Sequence, residues 1–340
     1  MTWDLIGHQW AANILQQHIL SGSVRHAYLF TGPEHVGKHR LALQFAQAIN
    51  CRETSVPGVP CGQCRSCTLI QSYRHPDLHV LEKEEGRTTV RIEQVRALQY
   101  SLSLAPYEAE RRIALLPDFH EATYHAWNAL LKTLEEPSDR VVLLLTSPST
   151  DLLLPTIVSR CEVLSLRQVA PSVIEKALAH HEGDAAEIQS ATRLAIGCPG
   201  LAISYLEGEA LQQQYGYRDD FFEWLQAGTA ERLRKAETWM NWRAGFPQRQ
   251  SQVKALLEAW VVLWRDILQQ KLRQTAAPIH LEVLPELQII TAALETTQVL
   301  DQITRIEQAL EELLANADPR LLLENLVAGF PAIPILSHSE

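Results

Sequence analysis

No apolar run in the 340 residues approaches bilayer length. Val141–Leu145 and Trp260–Trp264 are among the longest, whereas a spanning helix needs about 20 residues. The opening MTWDLIGHQW lacks the basic and apolar segments of a secretion signal. A cytoplasmic chain with no membrane partner is therefore expected. Excess positive charge is missing too. Lys and Arg total 30 against 40 Asp and Glu, a net −10, so the molecule as a whole does not attract nucleic acid electrostatically. Of that charge, −2 falls in residues 1–165 and −8 beyond. Any DNA contact would come from a local patch in the first half. There is no internal repeat and no low-complexity tract. Cysteines number only six, and in a reducing compartment they point to thiols or metal ligands rather than disulfides.

What is present is ordinary globular composition, 46% hydrophobic and 21% charged, in a length that suggests two or three domains. Short apolar runs at 26–31, 77–82, 112–118, 141–147 and 161–167 alternate with helical patterns, notably 92–103 and 121–136. That alternation predicts a mostly parallel sheet with helices on both faces. Strand patterns stop near residue 168. Residues 170–207 read as short helices broken by Gly197-Cys-Pro-Gly200, and from about 208 the chain reads as helical. Val253, Leu256, Leu257, Trp260, Trp264 and Ile267 form one stripe, and Ile303, Ile306, Leu310, Leu313 and Leu314 another. A last helix is expected over 319–329, then a loose tail over 331–340.

Gly32-Pro-Glu-His-Val-Gly37-Lys38 follows a strand and opens a helix, the context of a phosphate-binding loop. Glycines let backbone N–H groups turn toward phosphate oxygens, and Lys38 would supply a point charge. The next residue should carry a hydroxyl for Mg²⁺, but it is His39, which counts against nucleotide binding. Asp118, after the strand Ile113–Leu116, could hold Mg²⁺ through water or simply cap the next helix. A hydrolysing enzyme would place Glu directly after it; here Phe119 stands there, and Glu121 is expected to point elsewhere. Cys51, Cys61, Cys64 and Cys67 are spaced C-x9-C-x2-C-x2-C. Four thiolates complete a tetrahedron, so this reads as a structural Zn²⁺ site. Cys161 and Cys198 read as small buried hydrophobes, and His75 as a loop residue rather than a ligand.

Asn128-Ala-Leu-Leu-Lys-Thr-Leu-Glu-Glu-Pro137 followed by Ser159-Arg160-Cys161 closely resembles the bacterial DNA polymerase III clamp-loader subunits of the AAA+ superfamily. Ile6-Gly7-His8, His26–Pro33 and Asn316 with Pro319–Glu324 agree. The resemblance is strongest in 1–165 and weakest in 205–300. It implies an AAA+ P-loop domain over 1–167 with a zinc module at 51–67, a small helical lid over 168–207, and an all-α collar domain over 208–330. It also implies a hetero-oligomeric ring with gamma/tau-type ATPase and delta subunits, acting on the sliding clamp and primed DNA. The family has a hydrolysing member and a non-hydrolysing one. His39 and Phe119 make this chain look like the latter, and residues 197–202 lack the family's second-domain sensor arginine. Thr146 or Ser147 matches the polar sensor at the end of the fourth strand. On the residues alone, Arg160 reads as a helix cap or surface pair as readily as anything else. By resemblance it is an arginine finger, acting in trans on a neighbour's ATP. The competing readings are a hydrolysis-competent AAA+ subunit and a zinc-ribbon nucleic-acid binder.

Overall fold

The computed structural model describes residues 3–84, 89–180, 184–273, 278–331 and 333. Two compact units divide the chain. The first is Met1–Ile188 with Ala195–Ile203, and the second is Gln189–Leu194 with Ser204–Glu340.

The first unit holds one five-stranded sheet: β1 Ala27–Thr31, β2 Leu78–Val80, β3 Arg112–Leu116, β4 Val141–Ser147 and β5 Glu162–Ser165. Its spatial order is β2-β3-β4-β1-β5, and each neighbouring pair is parallel. Every residue of β1, β3 and β4 is buried, which is why these strands read as unbroken apolar runs rather than alternating ones. Alternate side chains serve opposite faces. Tyr28, Phe30, Ile113, Leu115, Val142 and Leu144 share one core with Leu15, Leu41 and Phe45. Those three belong to helices α1 Gln9–Leu20 and α2 Lys38–Asn50. Ala27, Leu29, Ala114, Leu116, Leu143 and Leu145 share the other core with Val95, Leu98 and Leu130. The four-cysteine segment contains α3 Arg65–Gln71; α4 Ile92–Ser103 and α5 Tyr124–Glu135 cover the second face; α6 Pro155–Val158 precedes β5; and α7 Pro171–Leu178 follows, before α8 Ala185–Leu194 and α9 Pro199–Leu206, whose residues are divided between the two units.

The second unit is built around α10 Ala210–Gln226, α11 Thr229–Thr238, α12 Phe246–Lys271, α13 Leu284–Ala293, α14 Thr296–Leu314 and α15 Pro319–Ala328. Phe221, Trp224, Trp260, Trp264 and Phe330 form an aromatic centre, with Trp224 and Trp260 packed edge to face at 4.9 Å between centroids. All six residues of the α12 stripe are buried. The α14 stripe departs from expectation at its end, because Leu314 is 72% exposed. It is the last residue of its helix, where the turn that would carry it over the core ends. The expected loose tail falls largely on residues 332 and 334–340, outside the described residues.

Candidate functional site

In a parallel sheet, the loops that follow the strands gather at one edge. The turn after β1, Asp118 after β3 and Thr146 near the end of β4 meet there. They line an open cleft of about 400 Å³ with Glu34, His35, Gly37, Lys38, His39, Arg40 and Gly200. Two glycines of the turn after β1 are required by geometry. Gly32 has φ +139°, and a Cβ on it would lie 2.4 Å from the Leu166 carbonyl. Gly37 has φ +110° and stands immediately before α2, so an L side chain there would be strained.

The chemistry inside the cleft differs from a phosphate cradle. Lys38 is buried, and its Nζ donates to the loop's own carbonyls, Gly32 at 2.8 Å and Pro33 at 2.7 Å. Burial lowers its pKa, and the charges of Asp118 and Glu34 partly oppose that. His39, where a Mg²⁺-binding hydroxyl would sit, bonds through Nε2 to the Tyr73 hydroxyl at 2.7 Å. Its pKa is lowered, chiefly by burial. The Gly200 N–H donates to the His35 carbonyl at 2.9 Å, so the turn at 197–200 closes against the loop. Asp118 is exposed and has φ +43°, and its N–H donates to Thr146 Oγ1 at 2.8 Å. Of the two candidate sensors, Thr146 therefore lines the cleft. Ser147 donates instead to the Ser149 carbonyl at 2.7 Å. Phe119 is wholly buried. Glu121 closes a 3-10 turn, Phe119–Glu121, rather than opening α5, and its carboxylate pairs with Lys83.

Arg160 stands elsewhere. Tyr28 is in register with Glu162, which puts Arg160 level with residue 26, at the opposite edge of the sheet from Gly32. The paired stretch Tyr28–Thr31 alone rises about 10 Å between the two ends, and Arg160 is not among the residues that line the cleft. Nη2 of Arg160 donates to Glu135 Oε1 at 2.8 Å, and Nη1 donates to the Thr156 carbonyl at 2.9 Å and the Ser159 hydroxyl at 3.4 Å. An ion pair thus joins the two sequence motifs that carry the family resemblance, and Leu134 of one and Cys161 of the other also pack in the same core.

The four cysteines converge as their spacing predicts. Their sulfurs all lie within 4.8 Å of one another, with Cys51–Cys64 and Cys61–Cys67 at 4.0 Å. A tetrahedral thiolate site with bonds of about 2.3 Å has sulfur–sulfur edges of about 3.8 Å, so these residues could hold a metal ion. Backbone N–H groups support them: Cys64 N donates to Cys61 Sγ at 3.2 Å, and Cys67 N to Cys64 Sγ at 3.5 Å. Burial alone would raise the Cys61 thiol, but the N–H groups of Cys64 and Gln63 and the neighbouring thiols bring it down to about 7. Cys51 lies just after α2 and Cys64 just before α3, so the cluster ties those helices together. Cys198 is buried and Cys161 half-buried. His75 is a buried loop residue that accepts the Asp77 N–H on Nδ1 at 3.1 Å.

Sequence reading missed three residues: Glu135 beside Arg160, Tyr73 beside His39, and Asp77. The Asp77 carboxylate accepts N–H bonds from Tyr107, Glu108 and Ala109 and pairs with Arg112 at 3.2 Å. Only Glu135 had a local signal. It ends a helix whose partial negative charge disfavours carboxylates at that end.

A parallel sheet carrying a glycine-rich turn into a helix at one edge, with helices on both faces, defines a P-loop domain of the AAA+ class. Known proteins agree. The family described as "DNA polymerase III, delta subunit" matches residues 7–170. A Pseudomonas aeruginosa protein named DNA polymerase III subunit delta' is 37% identical over 191 residues, 56% of this chain and 58% of that protein. The Bacillus subtilis protein of the same name is 26% identical over 320 residues, 92% of this chain and 93% of that one. A solved Thermotoga maritima protein related to the gamma subunit shares the fold, with a TM-score of 0.50 over 93% of this chain and 97% of that one at 18% identity. Residues 7–170 thus match that family, and the chain is similar over 92% of its length to a protein named DNA polymerase III subunit delta'.

Proposed function

We propose that this subunit does not hydrolyse ATP itself and supplies Arg160 to the ATP site of a neighbouring gamma/tau-type ATPase subunit. With the delta subunit, these chains would form a cytoplasmic hetero-oligomeric ring that helps load the sliding clamp onto primed DNA. The observation that carries this reading is the contrast between the two edges of the sheet. At one edge the cleft has an imidazole hydrogen-bonded to Tyr73 in place of the Mg²⁺-binding hydroxyl and a buried phenyl in place of the water-polarising carboxylate. At the other edge an arginine stands half-exposed on a short helix end. Such an arrangement suits a group that stabilises charge on a phosphoryl held by another chain.

The four-cysteine cluster is best read as a structural Zn²⁺ site. Thiolates are soft donors, and four of them leave no position for a reacting water. Residues 1–167 would then be the AAA+ domain, 168–207 its lid and 208–330 the collar that joins the ring. The isolated chain should give no steady ATP turnover, with or without Mg²⁺. Sustained turnover that disappears in Lys38→Ala would establish the alternative, a hydrolysis-competent subunit.

A further inference from the structure

Glu135 is the last residue of α5, and Glu136 follows it. Two carboxylates at a helix C-terminus oppose the helix dipole, and a sequence that breaks a local rule in this way does so for a tertiary reason. The reason is visible in the pairing. Glu135 Oε1 takes one arm of the Arg160 guanidinium at 2.8 Å, and the Thr156 carbonyl takes the other at 2.9 Å. The planar fork is thus pinned on two sides, with about a third of the side chain left accessible. A free arginine carries large rotamer entropy, lost when it docks. A pinned arginine has already lost most of it.

We propose that Glu135 is the positioning residue for Arg160: it holds the guanidinium in a set direction at the rim, ready for the polyphosphate of a nucleotide bound to an adjoining subunit. This rests on the trans role proposed above for Arg160. As a half-exposed surface pair, the contact adds little to folding stability; its effect lies in orientation. Immobilising one such side chain corresponds to a rate factor of about three to ten. Glutamine keeps an acceptor oxygen for the same arm, whereas alanine removes it.

The test is a double-mutant cycle in the fully reconstituted clamp loader with its clamp and primed DNA, reading kcat and KM for ATP. Glu135→Ala is expected to lower kcat about three- to tenfold with KM, melting temperature and complex assembly unchanged. Glu135→Gln should recover most of the loss. In an Arg160→Ala background, Glu135→Ala should have no further effect. A wild-type kcat in Glu135→Ala overturns the proposal, as does an equal loss in the Arg160→Ala background. If Glu135→Ala fails to assemble, Glu135→Lys in the same assay decides, and a wild-type kcat again overturns it. Should Arg160→Ala itself leave kcat intact, the trans role fails, and that outcome is separate from any result at Glu135.

Discussion

Arg232 is the most exacting test of the second unit. It lies in α11, is only 2% exposed, and has its pKa pulled down by burial. Hydrogen bonds run from it to main-chain carbonyls: Trp224 at 2.7 Å, Leu225 at 3.1 Å, Phe330 at 2.6 Å and Pro331 at 2.9 Å. The first two end α10, where carbonyls lack helical partners and the dipole is negative. The other two belong to the segment after α15. One guanidinium thus fastens the last described residues to the aromatic core. Arg232→Ala strips all four carbonyls of their donor and opens a void. Hydrogen bonds to a charged donor contribute about 1.5–3 kcal/mol each, but the desolvated cation offsets much of that. Each carbonyl left without a donor costs about 1–3 kcal/mol where water cannot reach it, so a net loss of about 3–5 kcal/mol is expected. Urea unfolding followed by tryptophan fluorescence reads this unit well, because Trp224, Trp239, Trp242, Trp260 and Trp264 all lie in it. With a urea slope of about 2 kcal/mol per molar, the midpoint should fall by about 2 M. Arg232→Lys should recover less than half, since a single ammonium cannot span four carbonyls. A shift under about 0.5 M for alanine would refute the reasoning.

Other outcomes follow from the first unit. Elemental analysis should find about one zinc per chain, and Cys67→Ser should abolish it and lower the unit's melting temperature, because the cluster joins α2 to α3; full metal content in the variant would contradict the ligand set. Acidification should destabilise this unit in two stages. His8, His39 and His79 have pKa values lowered below 6.5, chiefly by burial. The unfolded chain therefore takes up their protons first, and stability falls as pH drops below 6.5. Asp77 is held at about 2: burial would raise it, but the three N–H donors and Arg112 outweigh that. Its contribution is complete above 3.8 and is lost as pH falls toward 2. Asp77→Asn should remove that second stage from an acid titration followed by circular dichroism.

The sheet was legible because strands buried on both faces leave continuous apolar runs, as in VVLLLTS, observed at Val141–Ser147. Ends were less legible. The run at 77–82 shortens to Leu78–Val80, because Asp77 turns its carboxylate onto the N–H groups of 107–109. The metal cluster was readable from spacing alone, since its ligands lie within 17 residues of one another. The pairings Glu135–Arg160, His39–Tyr73 and Arg232–Phe330 join residues 25, 34 and 98 positions apart. No periodicity encodes such contacts; they arise only when the sheet and helices are in place. Leu314 fits a helical stripe yet faces water, because periodicity locates a face and not where the core beneath it stops.

The central claim is that this subunit acts on a neighbour's nucleotide and not on its own. The most direct measurement is clamp- and DNA-stimulated ATP hydrolysis by the reconstituted loader, comparing Arg160→Ala with Lys38→Ala. An arginine finger contributes about 10³-fold or more at the site it serves, so Arg160→Ala should silence one of the ring's ATP sites while Lys38→Ala leaves the rate close to wild type. Unimpaired hydrolysis with Arg160→Ala, or a collapse with Lys38→Ala alone, would contradict the account.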